Sequence, residues 1–171
     1  MQGVVQQICT SRGGIPKYPL LQGKVNFEGL AGDSWRHPKV HGGPLQALLL
    51  ITAEGLEELI AAGYPLFPGA LGENITTRGL NRKVMRLAER YRVGTSLLEL
   101  TKVRVPCATL DIYGPRIKKA IFDNLVKNGD ASTPVWGLSG FYARVIEPGE
   151  ICQGDSIALE SGTADAVSVR R

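Results

Sequence analysis

The chain predicts a mainly β fold, a β-barrel carrying a few inserted helices. Three observations lead there: many short apolar or alternating runs, connections rich in the chain's 21 glycines, and only two stretches with a helical apolar face. At 171 residues it reads as one domain, long enough to bury a substantial core without staples.

Taken in order, residues 4–8 are apolar and β-branched and predict an opening strand. A turn around Gly13-Gly14 follows, flanked by Ser11, Arg12 and Lys17, whose free N–H groups and cations suit a phosphate, although Gly-Gly before Pro16 is also an ordinary turn. The continuous apolar run 47–51 predicts a strand buried on both sides. Thr52 then caps a helix over 53–62 that Gly63 stops, with Leu56, Leu59 and Ile60 on its apolar face and Glu54, Glu57 and Glu58 solvated. Residues 97–105 alternate roughly with period two, one slip falling near Lys102, and predict a half-buried strand. A second helix is expected over 116–126, with Pro115 acceptable in its first turn and Ile117, Ile121, Phe122 and Leu125 on one face. Residues 141–146 and 157–159 close the pattern as a strand pair across the turn at Glu147-Pro148-Gly149-Glu150. Residues 161–171 read as a loose tail.

Composition narrows the function classes. A net charge of +4 and a pI near 9.1 suit anionic ligands, but the concentrated Lys/Arg runs with interleaved aromatics of a nucleic-acid surface are absent. Three cysteines at wide spacing, with no C-x-x-C pair, point to a reducing compartment. No basic segment followed by an apolar stretch opens the chain, and the apolar run 45–51 is far too short to cross a bilayer. The expectation is a soluble cytoplasmic protein with no membrane and no nucleic-acid partner.

Chemistry concentrates where the strand at 97–105 meets Pro106. Proline offers no N–H to a ladder, so pairing should end there and leave Cys107 just beyond a strand end, where pockets open. A free cysteine is also among the most buried residue types and often only a small hydrophobe. Charge favours the functional reading: between Arg78 and Arg104 stand eight Lys or Arg against two Glu, and cations near a thiol favour the thiolate that binds metal or attacks sulfur. Cys152 sits among Glu147, Glu150 and Asp155, which should suppress thiolate, and Cys9 ends an apolar strand, so Cys107 is the expected functional thiol.

Two loops support it. His37 and His41 are spaced for a zinc pair on a helix, but Pro38 and Gly42-Gly43 argue against a helix, and His41 with Arg36 reads better as lining an anion site. Gly69, Gly72, Glu73, Asn74, Thr76 and Thr77 form a polar loop able to orient a heterocycle, or equally a hairpin connection. Arg12, Lys17, Arg36 and Arg104 are expected to share one cleft with Cys107.

In this order, Glu28-Gly-Leu-Ala-Gly-Asp33, His41-Gly-Gly43, Pro68-Gly-Ala-Leu-Gly-Glu-Asn-Ile-Thr76, Arg92-Val-Gly94 and Arg104-Val-Pro-Cys107 resemble the MOSC domain, named for the C-terminal domain of molybdenum cofactor sulfurase. The resemblance covers about residues 1–160. It implies a closed, mostly antiparallel barrel holding the molybdenum cofactor, a molybdopterin whose metal takes the matching Cys107 as its protein ligand. Gly72, Glu73 and Asn74 match the family's Gly-Glu-Asn turn, whereas Ser11, Arg12 and Lys17 match in placement and character. Where the family often has Arg directly after the motif Asp, this chain has Ser34, with Arg36 two residues on. The implied cofactor-binding set is Ser11, Arg12, Lys17, Arg36, His41, Gly72, Glu73, Asn74, Thr76 and Arg104. The implied function is an oxidoreductase acting on N-hydroxylated substrates with an electron-donor reductase. Two alternatives stay open: a sulfur carrier loaded by a cysteine desulfurase, and a cofactor-binding or storage module without turnover.

Overall fold

The computed structural model describes residues 1–36 and 41–160. His37 and the expected tail at 161–171 lie outside them.

Eleven strands and three short α-helices make up the described fold: β1 (Gln2–Thr10), β2 (Tyr18–Leu20), β3 (Gln22–Asn26), β4 (Gly29–Leu30), β5 (Leu48–Thr52), α1 (Ala53–Ala61), β6 (Ile75–Arg78), β7 (Arg90–Val93), β8 (Ser96–Val103), α2 (Ile117–Ile121), α3 (Asn124–Lys127), β9 (Phe141–Glu147), β10 (Gly149–Cys152) and β11 (Ser156–Leu159). Seven of them close a barrel in the order β1-β11-β7-β8-β9-β5-β6 and back to β1. Closure is possible because the long β1 has two partners on different parts of its length: Gln2 to Val4 pair with β11, and Val4 to Ile8 with β6 across a bulge between Val5 and Gln7. Strand β2 extends β1 outside the ring, and β3, β4 and β10 form a small separate sheet. Every ring pair is antiparallel except β5 with β6. Those two are joined through α1, and a parallel pair requires such a crossover.

The burial of all five residues of β5 follows from its position between two cores. Leu48 and Leu50 face the barrel interior with Ile8, Tyr91, Leu98 and Phe141. On the other side Ile51 packs with Leu56, Leu59, Leu110, Ile117 and Ile121 under the helices. The period of the sequence could not show two-sided burial as alternation, and a continuous apolar run is its signature.

The expected strands at 4–8, 47–51, 97–105, 141–146 and 157–159 all belong to the barrel, and the cap at Thr52 is present, its hydroxyl accepting from Gly55 N at 3.2 Å. Three details differ. Pairing of β8 ends at Val103, and Val105 turns outward before Pro106. The helix expected over 116–126 breaks into α2 and α3, because Phe122 is extended (φ −157°, ψ 134°) and reaches into both cores. Asp123 then starts a fresh helix, its carboxylate accepting from Val126 N at 2.8 Å and the Thr133 hydroxyl at 2.7 Å. Residues 141–146 do not pair with 157–159: β10 peels away to pair with β3, so β11 enters beside β7 and β1. The acidic face of α1 is solvated as expected, with Glu57 and Glu58 exposed, and its carboxylates also find partners. Glu57 meets Arg78 at 2.5 Å, Glu58 meets Arg82 at 2.6 Å, and Glu54 accepts from Gly79 N at 2.8 Å. Among the described residues no helix is long and apolar enough to cross a membrane.

Candidate functional site

Where β8 leaves the barrel the chain brings Arg104 and Cys107 to a cavity of about 550 Å3. Arg104 N still donates to Gly140 O at 2.9 Å, Pro106 ends the strand, and Cys107 caps a 3-10 helix, Ala108–Tyr113, that forms one wall. The thiol is half-buried and its Sγ lies 2.7 Å from the Thr109 hydroxyl. Volume and make-up, apolar walls with a few convergent polar groups, are those of a small-molecule site, which span about 300–1,000 Å3.

Arg104 is the buried cation of the site, 3% exposed. Its Nη2 donates to Leu71 O at 2.5 Å, while Nε is buried with no hydrogen-bond partner among the described residues. Burial pushes the guanidinium below its ordinary value, opposed by the negative charge that Tyr142, Cys107 and Glu73 can carry. A second buried charge, Lys17, pairs with Asp33, which also accepts from Ser11 N at 2.8 Å and Asn74 Nδ2 at 2.9 Å. Burial lowers the Lys17 ammonium and the Asp33 charge works against that. Asn74 further accepts from Leu49 N at 3.1 Å and donates to Cys9 O at 3.3 Å, so one amide joins β1, β5 and the entry to β6.

Behind this wall Glu73 is fully buried. Its Oε1 accepts from Gly69 N at 2.6 Å and the Thr76 hydroxyl at 3.3 Å, and Oε2 has no partner among the described residues. Burial raises its carboxyl above the usual range. Gly72 has φ 87°, and a Cβ there would stand 2.9 Å from Ile15 Cγ2 in the cavity wall, so both conformation and space require glycine. His41 Nδ1 lies 3.3 Å from the Tyr142 hydroxyl.

The structure thus brings Lys17, Arg36, His41, Gly72, Asn74, Arg104 and Cys107 to one cavity. Ser11, Arg12, Glu73 and Thr76 are not in its wall. Ser11 instead shapes the adjoining turn, its hydroxyl donating to Gly14 O at 3.1 Å and accepting from Gly13 N at 3.2 Å. Arg12 is exposed, and Glu73 and Thr76 bond to each other behind the wall. Tyr142, Trp35, Gln46 and Leu49 line the cavity without any sequence signal, because each arrives through strand register or a loop. Asp33 was visible only as part of a Gly-x-x-Gly-Asp motif, and its place at the centre of the buried polar cluster depends on three distant segments.

The other two thiols stand apart from the cavity. Cys9 is buried beside Gln7 and Glu73, and burial pushes it up to about 11. Cys152 is raised by burial and by Asp155 and Glu150. Among the described residues no three His, Cys, Asp or Glu side chains converge as a metal site.

A closed barrel with a thiol and buried cations facing one cavity defines a small-molecule or cofactor-binding β-barrel. The MOSC domain family model matches residues 37–158, well over half of the chain, and the protein belongs to that family, which is associated with binding of the molybdenum cofactor. An uncharacterized protein, YflK of Bacillus subtilis, is 29% identical over 161 residues, covering 92% of this chain and 67% of its own length. Protein YiiM of Escherichia coli is 28% identical over 141 residues, and the chain spans only 58% of it. A stretch of 94 residues is 32% identical to a protein named reductase from Gibberella moniliformis, covering 15% of that protein. The crystal structure of YiiM from Geobacillus stearothermophilus superposes with a TM-score of 0.69 at 25% identity, over 96% of this chain and 78% of that one. YuaD of Bacillus subtilis shares the fold at 16% identity with a TM-score of 0.69, over 95% of this chain and 97% of that one.

Proposed function

We propose that the protein binds a molybdenum–pterin cofactor in this cavity and acts as an oxidoreductase on N-hydroxylated substrates, with Cys107 as the protein ligand to the metal. The observation that carries the reading is the placement of one soft thiol beside a buried guanidinium whose Nε has no partner among the described residues, in the same wall as Lys17 and Arg36. The residues fit such a group. Its phosphate needs cations and free donors, its flat heterocycle needs polar edges between apolar faces, and Leu49, Leu71, Leu110 and Asn74 supply them.

When bound, such a cofactor supplies the two-electron chemistry that removes the hydroxyl oxygen of the substrate as water. The chain's own part is positioning. Arg104 holds positive charge next to the thiol. The Asp33–Asn74–Lys17 cluster fixes the floor, and the 3-10 helix with Leu110 and Ile112 screens the interior from water. Electrons come from a donor reductase, and the three free thiols accord with a reducing, cytoplasmic setting.

The test is molybdenum and pterin analysis after anaerobic purification from cells that make the cofactor, on wild type and Cys107→Ser, followed by reduction of a benzamidoxime-type probe with a chemical reductant. Metal and pterin in wild type and neither in Cys107→Ser support the reading. Equal loading of both proteins overturns it. A sulfur added to Cys107 with no metal present points to the sulfur carrier instead.

A further inference from the structure

The cavity contains a pair of titratable groups that ligand binding alone does not explain. Tyr142 lies on β9 with its ring 7% exposed and its hydroxyl 3.3 Å from His41 Nδ1, and both residues line the cavity that holds Cys107. We propose that His41 and Tyr142 form a proton relay into this cavity, Tyr142 giving the proton to the substrate and His41 restoring it.

The inference rests on the oxidoreductase reading for its substrate and on the structure for its geometry. Reduction of an N-hydroxylated amine breaks the N–O bond, takes up two electrons and two protons, and releases an amine and water. The electrons come from a donor reductase, and the protons must cross a partly closed cavity, one to the leaving oxygen and one to the nitrogen. The other titratable groups in the wall suit this poorly. Arg36 and Arg104 are guanidinium groups, which do not give up a proton in proteins. The Lys17 ammonium is held by Asp33, Asp111 is engaged by Lys118 at 3.0 Å, and Cys107 is the ligand in the proposed function. Tyr142 keeps its proton at neutral pH, since burial raises the phenol above its ordinary value. An imidazole changes charge in the neutral range and can refill it.

The hydrogen bond between the two can run in either direction, and that is what makes it a relay. With Nδ1 bare, the tyrosine hydroxyl donates to the ring. With Nδ1 protonated, the ring donates to the tyrosine oxygen, and the hydroxyl hydrogen is released to turn into the cavity. As the hydroxyl gives its proton to the leaving oxygen, the Nδ1 proton passes to the tyrosine oxygen, and solvent recharges His41. Two such passes supply the two protons. Among the described residues the charges around the pair include Lys102, 5.5 Å above the Tyr142 ring, Arg104 and Arg36 in the wall, and the Cys107 thiol when ionised. In the protonated ring, the Tyr142 oxygen is the acceptor for the Nδ1 proton.

The chain has two histidines, which makes a direct measurement simple. Imidazole carbon-bound protons are followed by NMR against pH in the cofactor-free protein, with His37→Gln assigning the signals. Tyr142→Phe keeps the ring and removes only the hydroxyl, and a thermal melt checks the fold. Because the bond to the charged ring is the stronger one, the acid constant of His41 should increase about threefold or more in Tyr142→Phe, with His37 unmoved. An unchanged His41 titration overturns the relay whatever the activity shows. In the loaded protein, Tyr142→Phe should lower kcat with KM held and enlarge the solvent deuterium isotope effect. A rise in KM alone, with kcat and isotope effect intact, also overturns it. If the protein never loads cofactor yet His41 shifts, the proposed function fails while the proton path stands.

Discussion

The Lys17–Asp33 pair offers the sharpest test of how the floor of the cavity is held. Both side chains are nearly inaccessible, 6% and 2% exposed, and Asp33 accepts from Lys17 and Asn74 on Oδ2 and from Ser11 N on Oδ1. Asp33→Asn keeps the shape but leaves one acceptor for three donors. Whichever way the amide turns, its NH2 group faces an N–H that previously donated, and the buried ammonium loses its counter-charge. Breaking a buried pair in this way costs about 3–5 kcal/mol, capped here because a Lys already lowered by burial can shed its proton. We expect about 4 kcal/mol. Lys17→Met fills similar volume and leaves Asp33 its two neutral donors, so the loss is nearer the value of one charged hydrogen bond, about 2 kcal/mol. The order follows from geometry: D33N costs more than K17M, and adding K17M to D33N costs nothing or restores stability, because the orphaned ammonium goes with it. Urea unfolding at neutral pH reads this as a shift in midpoint at constant slope, against a total of about 5–15 kcal/mol. A K17M loss equal to or above that of D33N would falsify the account of Asp33 as the hub.

Three further outcomes are expected. Glu73 is raised by burial, so the stability it contributes is present below its ordinary 4.5 and is lost as pH rises through its folded value; Glu73→Gln should flatten the decline in melting temperature as pH rises above 4.5, and an unaltered decline would refute this. Gly69 has φ 96° and a Cβ there would stand 2.3 Å from the Lys17 carbonyl oxygen, so Gly69→Ala should cost about 3 kcal/mol or more by urea unfolding. A thiol reagent at mildly alkaline pH, read by peptide mass mapping, should label Cys9 last, since it is buried and pushed up to about 11, and early Cys9 labelling would contradict its burial.

How much of this was legible beforehand depended on the range of the interaction involved. Period two in 97–105 and the unbroken run 47–51 revealed strands because alternation and two-sided burial are written in consecutive residues. Pro106 marked locally that pairing could not continue past it, and so that Cys107 lies beyond a strand end, although β8 itself stops at Val103. The Gly72-Glu73-Asn74 turn was visible as a motif, but not which member faces the cavity: Asn74 and Gly72 do, and Glu73 turns behind the wall to satisfy Gly69 N. The helix over 116–126 was misjudged at Phe122, whose apolar character fits a helical face in sequence and a bridge between two cores in space.

The sequence by itself determined the class of fold, the strand end that presents Cys107, and the family to which the chain belongs, since these depend on local periodicity, turn residues and ordered short motifs. Tertiary structure alone decided that Lys17, Arg36, His41 and Arg104 meet at one cavity while Arg12 does not, that Asp33 joins three segments, and that Tyr142 stands beside His41, 101 residues away in the chain. Those contacts depend on strand register and barrel closure, where a shift of one residue turns a side chain to the opposite face, and no stretch of neighbouring residues encodes that choice.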